Sequence, residues 1–153
     1  MKQLRFEQFL PISLEEAWSF FSNPANLNLI TPDELNFKTL TEVPELMTDG
    51  LIIRYKIKPM FSIPLGWTTR INGIEPNVMF IDEQIRGPYK TWIHEHHFQS
   101  VDNGVLMTDK LKYDIGWRVF GKMAGWLWVD KKVKQIFDYR RQKLNDIFSV
   151  DSR

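Results

Sequence analysis

The sequence predicts an α+β fold in which a curved antiparallel β-sheet of about seven strands wraps around a long C-terminal α-helix. Two observations lead to this fold class. Between residues 35 and 115 apolar and polar residues alternate, with turn residues every ten or so positions and no helical segment between them, which is typical of an antiparallel meander. After Gly116 the apolar period changes from two to about 3.6 residues, as in an amphipathic helix.

The N-terminal segment is predicted to form one strand and two short helices. Residues 4–8 alternate as in a strand. Ser13 and Glu16 have the spacing of a capping box and begin the first helix. A second short helix is predicted over residues 25–30, because Pro24 fits a first helical turn and the residue before the next proline avoids the helical basin.

The central part of the chain is predicted to be a series of strands. The proline-rich segment 59–66 is expected to be a loop. The length of the loop at 87–89 decides which residues of the preceding strand face inward, so the sequence leaves the facing of Asp82 and Arg86 open. The predicted strands span residues 37–43, 51–58, 67–74, 78–85, 91–101 and 105–115.

The last two of these strands are predicted to form a β-hairpin. Asn103-Gly104 is the dipeptide most typical of a two-residue turn, and it would place Phe98 opposite Asp109, His96 opposite Leu111 and His94 opposite Tyr113. One face of the hairpin is rich in charged residues and is expected to meet solvent. The other face is therefore predicted to be covered, and it carries Trp92, His94, His96, Phe98, Met107, Asp109, Leu111 and Tyr113.

The C-terminal helix is predicted from apolar residues at three- and four-residue steps. Arg140 falls near this apolar stripe, so it would need a carboxylate partner or a route to water. The stripe comprises Trp126, Val129, Val133, Ile136, Phe137, Leu144, Ile147 and Phe148.

Composition excludes several classes of protein. The chain has 20 basic and 19 acidic residues, a net charge of +1, which gives no electrostatic reason to expect a nucleic-acid partner. It has no cysteine, so disulfides and thiolate chemistry are excluded. With no signal-peptide pattern and no long apolar run, we expect a cytoplasmic protein without stable membrane insertion, formed by a single domain over residues 1–150.

The order of elements and several local motifs resemble those of the SRPBCC (START/Bet v 1-like) superfamily, in particular its bacterial branch related to polyketide cyclases and coenzyme Q-binding proteins. The resemblance implies the helix-grip fold, with a cavity between sheet and helix. We expect no cofactor. Its residues are Pro11-Ile12-Ser13 with Glu16 and Trp18, Asn23-Pro24-Ala25-Asn26-Leu27, Thr31-Pro32, Gly50, Trp67, Phe80, Asp82-Glu83-Gln84, Gly87-Pro88-Tyr89, Trp92, His94, His96, Phe98, Asp109 and Tyr113.

The predicted function is binding or transport of a small hydrophobic molecule, such as a lipid, an isoprenoid, a polyketide or an aromatic compound. Two alternatives remain open. His94, His96 and Asp109 could carry the acid–base chemistry of a cyclase, dehydratase or hydrolase, or the domain could be a regulatory interaction module with a vestigial cavity. The predicted ligand-binding residues are Trp18, Tyr55, Trp67, Trp92, His94, His96, Phe98, Asp109, Leu111, Tyr113, Trp126 and Phe137.

A metal site is a further interpretation of the two histidines. His94 and His96 lie on one strand face and could converge on zinc together with Asp109. However, there is no second histidine pair, His97 points to the opposite face, and the segment HEHHF lacks the HExxH spacing of helical zinc sites. The sequence therefore favours a hydrogen-bonded network without a metal.

Overall fold

The computed structural model describes residues 1–58, 64–116 and 123–149. A single antiparallel sheet runs in the order β1-β7-β6-β5-β4-β3-β2, and a long helix follows it in the chain. The predicted fold class is therefore confirmed. The elements are β1 (Lys2–Leu10), α1 (Leu14–Phe21), two 3-10 helices (Pro24–Ile30 and Asp33–Leu35), β2 (Lys38–Thr39), β3 (Ile52–Ile57), β4 (Leu65–Glu75), β5 (Met79–Arg86), β6 (Thr91–Val101), β7 (Gly104–Asp114) and α2 (Met123–Phe148).

Polar side chains begin the N-terminal helices as the sequence predicts. The amide of Glu16 donates to the hydroxyl of Ser13 at 3.1 Å, and the amide of Ser13 donates to the Glu16 carboxylate at 2.9 Å, which completes the capping box. The predicted second helix is a 3-10 helix, and its N-cap is Asn23, whose side-chain oxygen accepts from the amide of Ala25 at 3.0 Å.

Two strands differ in length from the prediction. β2 has only two residues instead of the predicted 37–43, and the chain after it leaves the sheet: the amide of Met47 donates to the carbonyl of Ser22 at 2.8 Å. β4 begins at Leu65, so the end of the predicted loop 59–66 belongs to a strand. Residues 59–63 lie outside the described part of the chain.

The predicted pairing of the β6–β7 hairpin is wrong by two residues. Val101 pairs with Gly104, so the loop is Asp102-Asn103. The shift retains the facing of every side chain, because the side-chain period of a strand is two, but it changes the partners. Phe98 lies opposite Met107, His96 opposite Asp109, His94 opposite Leu111 and Trp92 opposite Tyr113.

The role of Gly104 explains this error. Asn103, with φ of 64°, is the left-handed residue of the turn. Gly104 is already in the strand, where β1 passes so close that an added Cβ would lie 2.2 Å from the carbonyl oxygen of Leu10. The glycine is needed for the approach of β1 and not for the turn.

The two helices pack against different parts of the sheet. Trp18 of α1 makes edge-to-face contacts with Phe80 and Phe98, at ring-centroid distances of 6.1 and 5.9 Å. Phe137 of α2 stacks on Phe6 of β1 at 4.2 Å. Because α2 packs at the β1 end of the sheet, the concave surface of β3 to β6 is left for a cavity. No helix in the described ranges is both long and apolar enough to cross a membrane.

We predict that Gly104→Ala destabilises the protein. The new methyl group would meet backbone of β1, which cannot move without breaking ladder hydrogen bonds, so the free energy of unfolding should fall by about 1–3 kcal/mol. Urea unfolding followed by circular dichroism measures this.

Gly66→Ala is the matched control for this experiment. Gly66 is also a strand residue, but its added Cβ would meet nothing within 4 Å. The same unfolding midpoint for both variants would show that the close approach of β1 does not constrain the hairpin.

Candidate functional site

The main feature of the interior is a cavity of about 350 Å³ between the concave face of the sheet and α2. This volume is within the range of roughly 300–1,000 Å³ that is usual for small-molecule sites. Most of its wall is apolar or aromatic. The wall includes Phe20, Leu27, Ile30, Phe37, Tyr55, Trp67, Ile71, Phe80, Asp82, Tyr89, Trp92, His94, His96, Trp128, Val133, Ile136, Phe137 and Arg140.

Half of the predicted ligand-binding residues lie on this wall. They come from three strands and α2, which shows that the predicted faces of these elements meet around one space. Whether they contact a ligand stays a prediction. The residues on the wall are Tyr55, Trp67, Trp92, His94, His96 and Phe137.

The other predicted residues are not part of the wall. Trp18 and Phe98 pack in the core between α1 and the sheet. Leu111, Tyr113 and Trp126 belong to a second core cluster beneath the start of α2, and Asp109 lies buried next to the two histidines. The first turns of α2 therefore fill the space at this end of the hairpin, which strand periodicity alone does not reveal.

Tyr113 anchors α2 to the sheet. Its hydroxyl donates to Asp130 at 2.9 Å, and Asp130 also pairs with Lys2 at 3.2 Å and Lys134 at 3.3 Å. Tyr113, which the sequence analysis predicts to bind ligand, thus connects β7 to α2.

Asp82 and several aromatic residues line the cavity although they are absent from the predicted set. Asp82 lies directly opposite His94 in the β5–β6 pair, so it shares the inward face of that histidine, whereas Arg86 is exposed. The strand pairing resolves the question that the sequence leaves open. Tyr89, in the predicted loop at 87–89, and Trp128, which is in the predicted helix but not part of its apolar stripe, also line the wall.

The polar part of the site is a buried cluster of His94, His96 and Asp109. His94 Nε2 donates to Asp109 Oδ1 at 2.7 Å. His96 Nδ1 lies 3.1 Å from the same oxygen but is not aligned for a hydrogen bond. The two imidazole rings are 3.8 Å apart, and His96 stacks on Phe80 at 4.3 Å. The orientation of both rings is thus fixed by packing.

Burial and neighbouring charges set the ionisation of this cluster. Burial, together with repulsion from His94, lowers the pKa of His96 to about 3, so this imidazole is neutral near pH 7. Burial alone would raise the pKa of Asp109, but its interactions with His94 and His96 outweigh that effect and hold the pKa below its usual value. The cluster therefore combines a carboxylate with a neutral imidazole.

The pKa of Asp82 is shifted in the opposite direction to that of Asp109. Burial raises the pKa of its carboxyl group, and the Thr69 hydroxyl, which donates to Asp82 Oδ1, together with His94 and Arg140 only partly offsets this. Although it lies deep in the protein, Asp82 is partly exposed to the cavity. It is a carboxyl group that retains a proton more readily than a surface aspartate does.

The three cluster residues have the spacing of metal ligands, since their ligand atoms all lie within 4.8 Å of one another. The direct hydrogen bond between His94 and Asp109 and the electrostatic influence of the Arg140 guanidinium on this cluster oppose the binding of a cation. The absence of a metal site remains a prediction.

Arg140 is the least expected member of the wall. It is only 9% exposed, and its guanidinium lies 5.9 Å from the centre of the Phe137 ring. Its Nε makes no hydrogen bond, and within the described residues no carboxylate forms an ion pair with it. Of the two possibilities that the sequence leaves open, a carboxylate partner or a route to water, the described residues supply no carboxylate in ion-pair contact, and the side chain lines the cavity.

We predict that His96 makes the protein less stable in mild acid. Between about pH 6.5 and 4.5 the unfolded chain binds a proton at this position, whereas the folded protein does not. The free energy of unfolding should therefore decrease as pH falls. His96→Gln should reduce this decrease by about 1–2 kcal/mol over the interval, as measured by urea unfolding at several pH values.

His97→Gln is the control for the pH experiment. His97 is a neighbour on the opposite, solvent-facing side of β6, where it contacts Glu95 at 2.9 Å. An acid dependence that is unchanged in His96→Gln, or equally reduced in His97→Gln, would refute the assignment to His96.

No protein-family model matches the sequence, and no curated protein matches it. Solved structures, however, share the fold. Protein Ms6760 from Mycobacterium smegmatis matches with a TM-score of 0.70 and 11% identity over 97% of this chain and 92% of that chain. TTHA0849 from Thermus thermophilus matches with a TM-score of 0.69 and 12% identity over 97% of this chain and 100% of that chain.

A plant protein has the same architecture. Ginseng major latex-like protein 151 from Panax ginseng matches with a TM-score of 0.68 and 11% identity over 97% of both chains. At such identities the likeness concerns the fold and not the ligand or activity. The chain therefore shares with these solved structures the helix-grip fold that its sequence predicts.

Proposed function

We propose that the protein binds or transports a small hydrophobic molecule in the cavity between the sheet and α2. The observation that carries this proposal is the cavity itself, about 350 Å³ in volume and mostly apolar. Lipids, isoprenoids, polyketides and aromatic compounds are the ligand classes that such a wall suits. The binding unit in this proposal is one cytoplasmic domain over residues 1–150.

Packing of the wall supports a ligand that is held by shape and apolar contact. Trp67 and Trp92 meet edge to face at 5.1 Å, and Tyr89 lies 5.5 Å from Trp67 and 4.7 Å from Trp92. Each ring is held by the other two, so the surface that they offer is preformed. A preformed apolar wall binds with little loss of side-chain entropy.

The presence of the cavity argues against the alternative of a regulatory interaction module with a vestigial cavity. In such a module unfilled space would only lower stability, because packing contacts in the core are lost. Here α2 and the sheet keep a cavity of ligand size, although larger side chains at Val133 or Ile136 would fill it.

The buried histidines favour an acid–base enzyme as a second candidate. His94 lines the cavity and is oriented by its 2.7 Å hydrogen bond to Asp109, an arrangement that suits a general base. A cyclase, dehydratase or hydrolase acting on an apolar ligand would use this pair.

Ligand binding is tested with N-phenyl-1-naphthylamine, a neutral apolar dye whose fluorescence rises in apolar surroundings. We expect saturable binding by the wild-type protein. Ile136→Trp should weaken this binding about tenfold or more, because the larger side chain of a wall residue enters the cavity. A fluorescence titration gives both dissociation constants.

Leu127→Trp is the matched control, because Leu127 lies on the same helix but is 68% exposed and is not part of the wall. Its affinity for the dye should equal that of the wild type. No saturable binding by the wild type, or equal weakening by both substitutions, would reject the cavity as the binding site.

The enzyme candidate is tested with the apolar ester 4-nitrophenyl decanoate, which reports hydrolysis, and with an aromatic β-keto thioester, which reports cyclisation or dehydration. If the pair is catalytic, His94→Gln and Asp109→Asn should each lower turnover by about 100-fold or more. Turnover that is absent in the wild type, or unchanged in both variants, removes this candidate.

A further inference from the structure

Arg140 occupies a position that the helix pattern reserves for an apolar residue. Val133, Phe137 and Leu144 are buried on the same side of α2, and Arg140 continues their spacing of three and four residues. The geometry of the helix therefore directs the Arg140 side chain toward the protein interior, where it is buried.

A buried cation of this kind normally has a partner. The desolvation of an arginine is strongly unfavourable unless an anion and hydrogen-bond acceptors compensate for it. The guanidinium of Arg140 lies 5.9 Å from the centre of the Phe137 ring, and its Nε is without an acceptor. Among the described residues no carboxylate lies close enough to form an ion pair with it.

The acidic groups near Arg140 are engaged elsewhere. Asp109 accepts from His94, and Asp82 accepts from the hydroxyl of Thr69. Both carboxyl groups influence Arg140 through space, but neither forms an ion pair with it. The guanidinium is left to face the same cavity that the aromatic wall encloses.

We propose that the ligand of this cavity is an apolar carboxylic acid whose carboxylate is bound by Arg140 while its apolar body lies against the aromatic wall. This inference rests on the proposed binding function and narrows it to one chemical class. It assigns to Arg140 the role of a specificity-determining residue.

A single carboxylate fits better than a more highly charged group. Within the described wall, Arg140 is the one side chain with a permanent positive charge, so one negative charge on the ligand balances it and a second would be left without a counter-charge. The planar guanidinium matches the two oxygens of a carboxylate in a bidentate arrangement. Neutral His96, on the same wall, can add a hydrogen bond without changing the charge balance.

The test compares decanoate with 1-decanol, which share one apolar chain and differ in the head group. Each displaces N-phenyl-1-naphthylamine from the protein near neutral pH. The wild type should bind decanoate about tenfold more tightly than 1-decanol, as expected for a charge-assisted hydrogen-bonded pair. Arg140→Met, which keeps an unbranched side chain, should bring the two affinities within about threefold of each other.

The neighbouring arginine supplies the control. Arg141 is exposed and donates to the carbonyl of Glu7, so Arg141→Gln should retain the wild-type preference for decanoate. Arg140→Lys keeps the charge but not the planar fork, and its preference should lie between those of the wild type and Arg140→Met. It also provides a variant if Arg140→Met does not fold.

The outcomes separate this inference from the proposed function. If the wild type does not bind the dye, the cavity is not a ligand site and both proposals fail. If the wild type binds the dye but binds decanoate no better than 1-decanol, or if the preference persists without the guanidinium, binding stands and the role of Arg140 is overturned.

Discussion

The attachment of α2 to one end of the sheet is the constraint on which the rest of the structure depends. Phe137 stacks on Phe6, and the hydroxyl of Tyr113 holds Asp130 in the first part of the helix. With α2 packed on β1 and β7, the rest of the concave surface of the sheet is not filled by the helix. The space that results is bounded by β3 to β6, and the size of the cavity follows from where the helix is attached.

The wall of the cavity has an aromatic part and a polar part. The aromatic residues Trp67, Tyr89 and Trp92 hold one another in place, whereas His94, His96 and Asp109 form a network in which burial favours the neutral imidazole of His96 and the histidines favour the ionised carboxylate of Asp109. A molecule in the cavity therefore meets an apolar region and a polar region in a fixed relation. Such an environment orients a ligand as well as enclosing it.

Periodicity in the sequence is sufficient to predict the elements and most of the inward faces, because both are local properties of a strand or helix. The hairpin register is not predictable in this way, since Gly104 is required by the neighbouring β1 strand and not by the turn. The facing of Asp82 likewise depends on the pairing of β5 with His94 of β6. Leu111 and Tyr113 are on the predicted face, but the start of α2 covers them, which only the tertiary packing shows.

A buried guanidinium that has no ion-pair partner among the described residues would link the conformational stability of the protein to any anion that binds there. If Arg140 binds a carboxylate as proposed, the ligand-free protein bears the desolvation cost of the guanidinium, and the anion binds only the folded state. By mass action, such a ligand stabilises the fold by about 2.7 kcal/mol at a concentration of roughly 100 times its dissociation constant. The amount of protein that escapes proteolysis in a cell would then rise and fall with the supply of ligand, so that turnover of the protein itself becomes a measure of the molecule it holds.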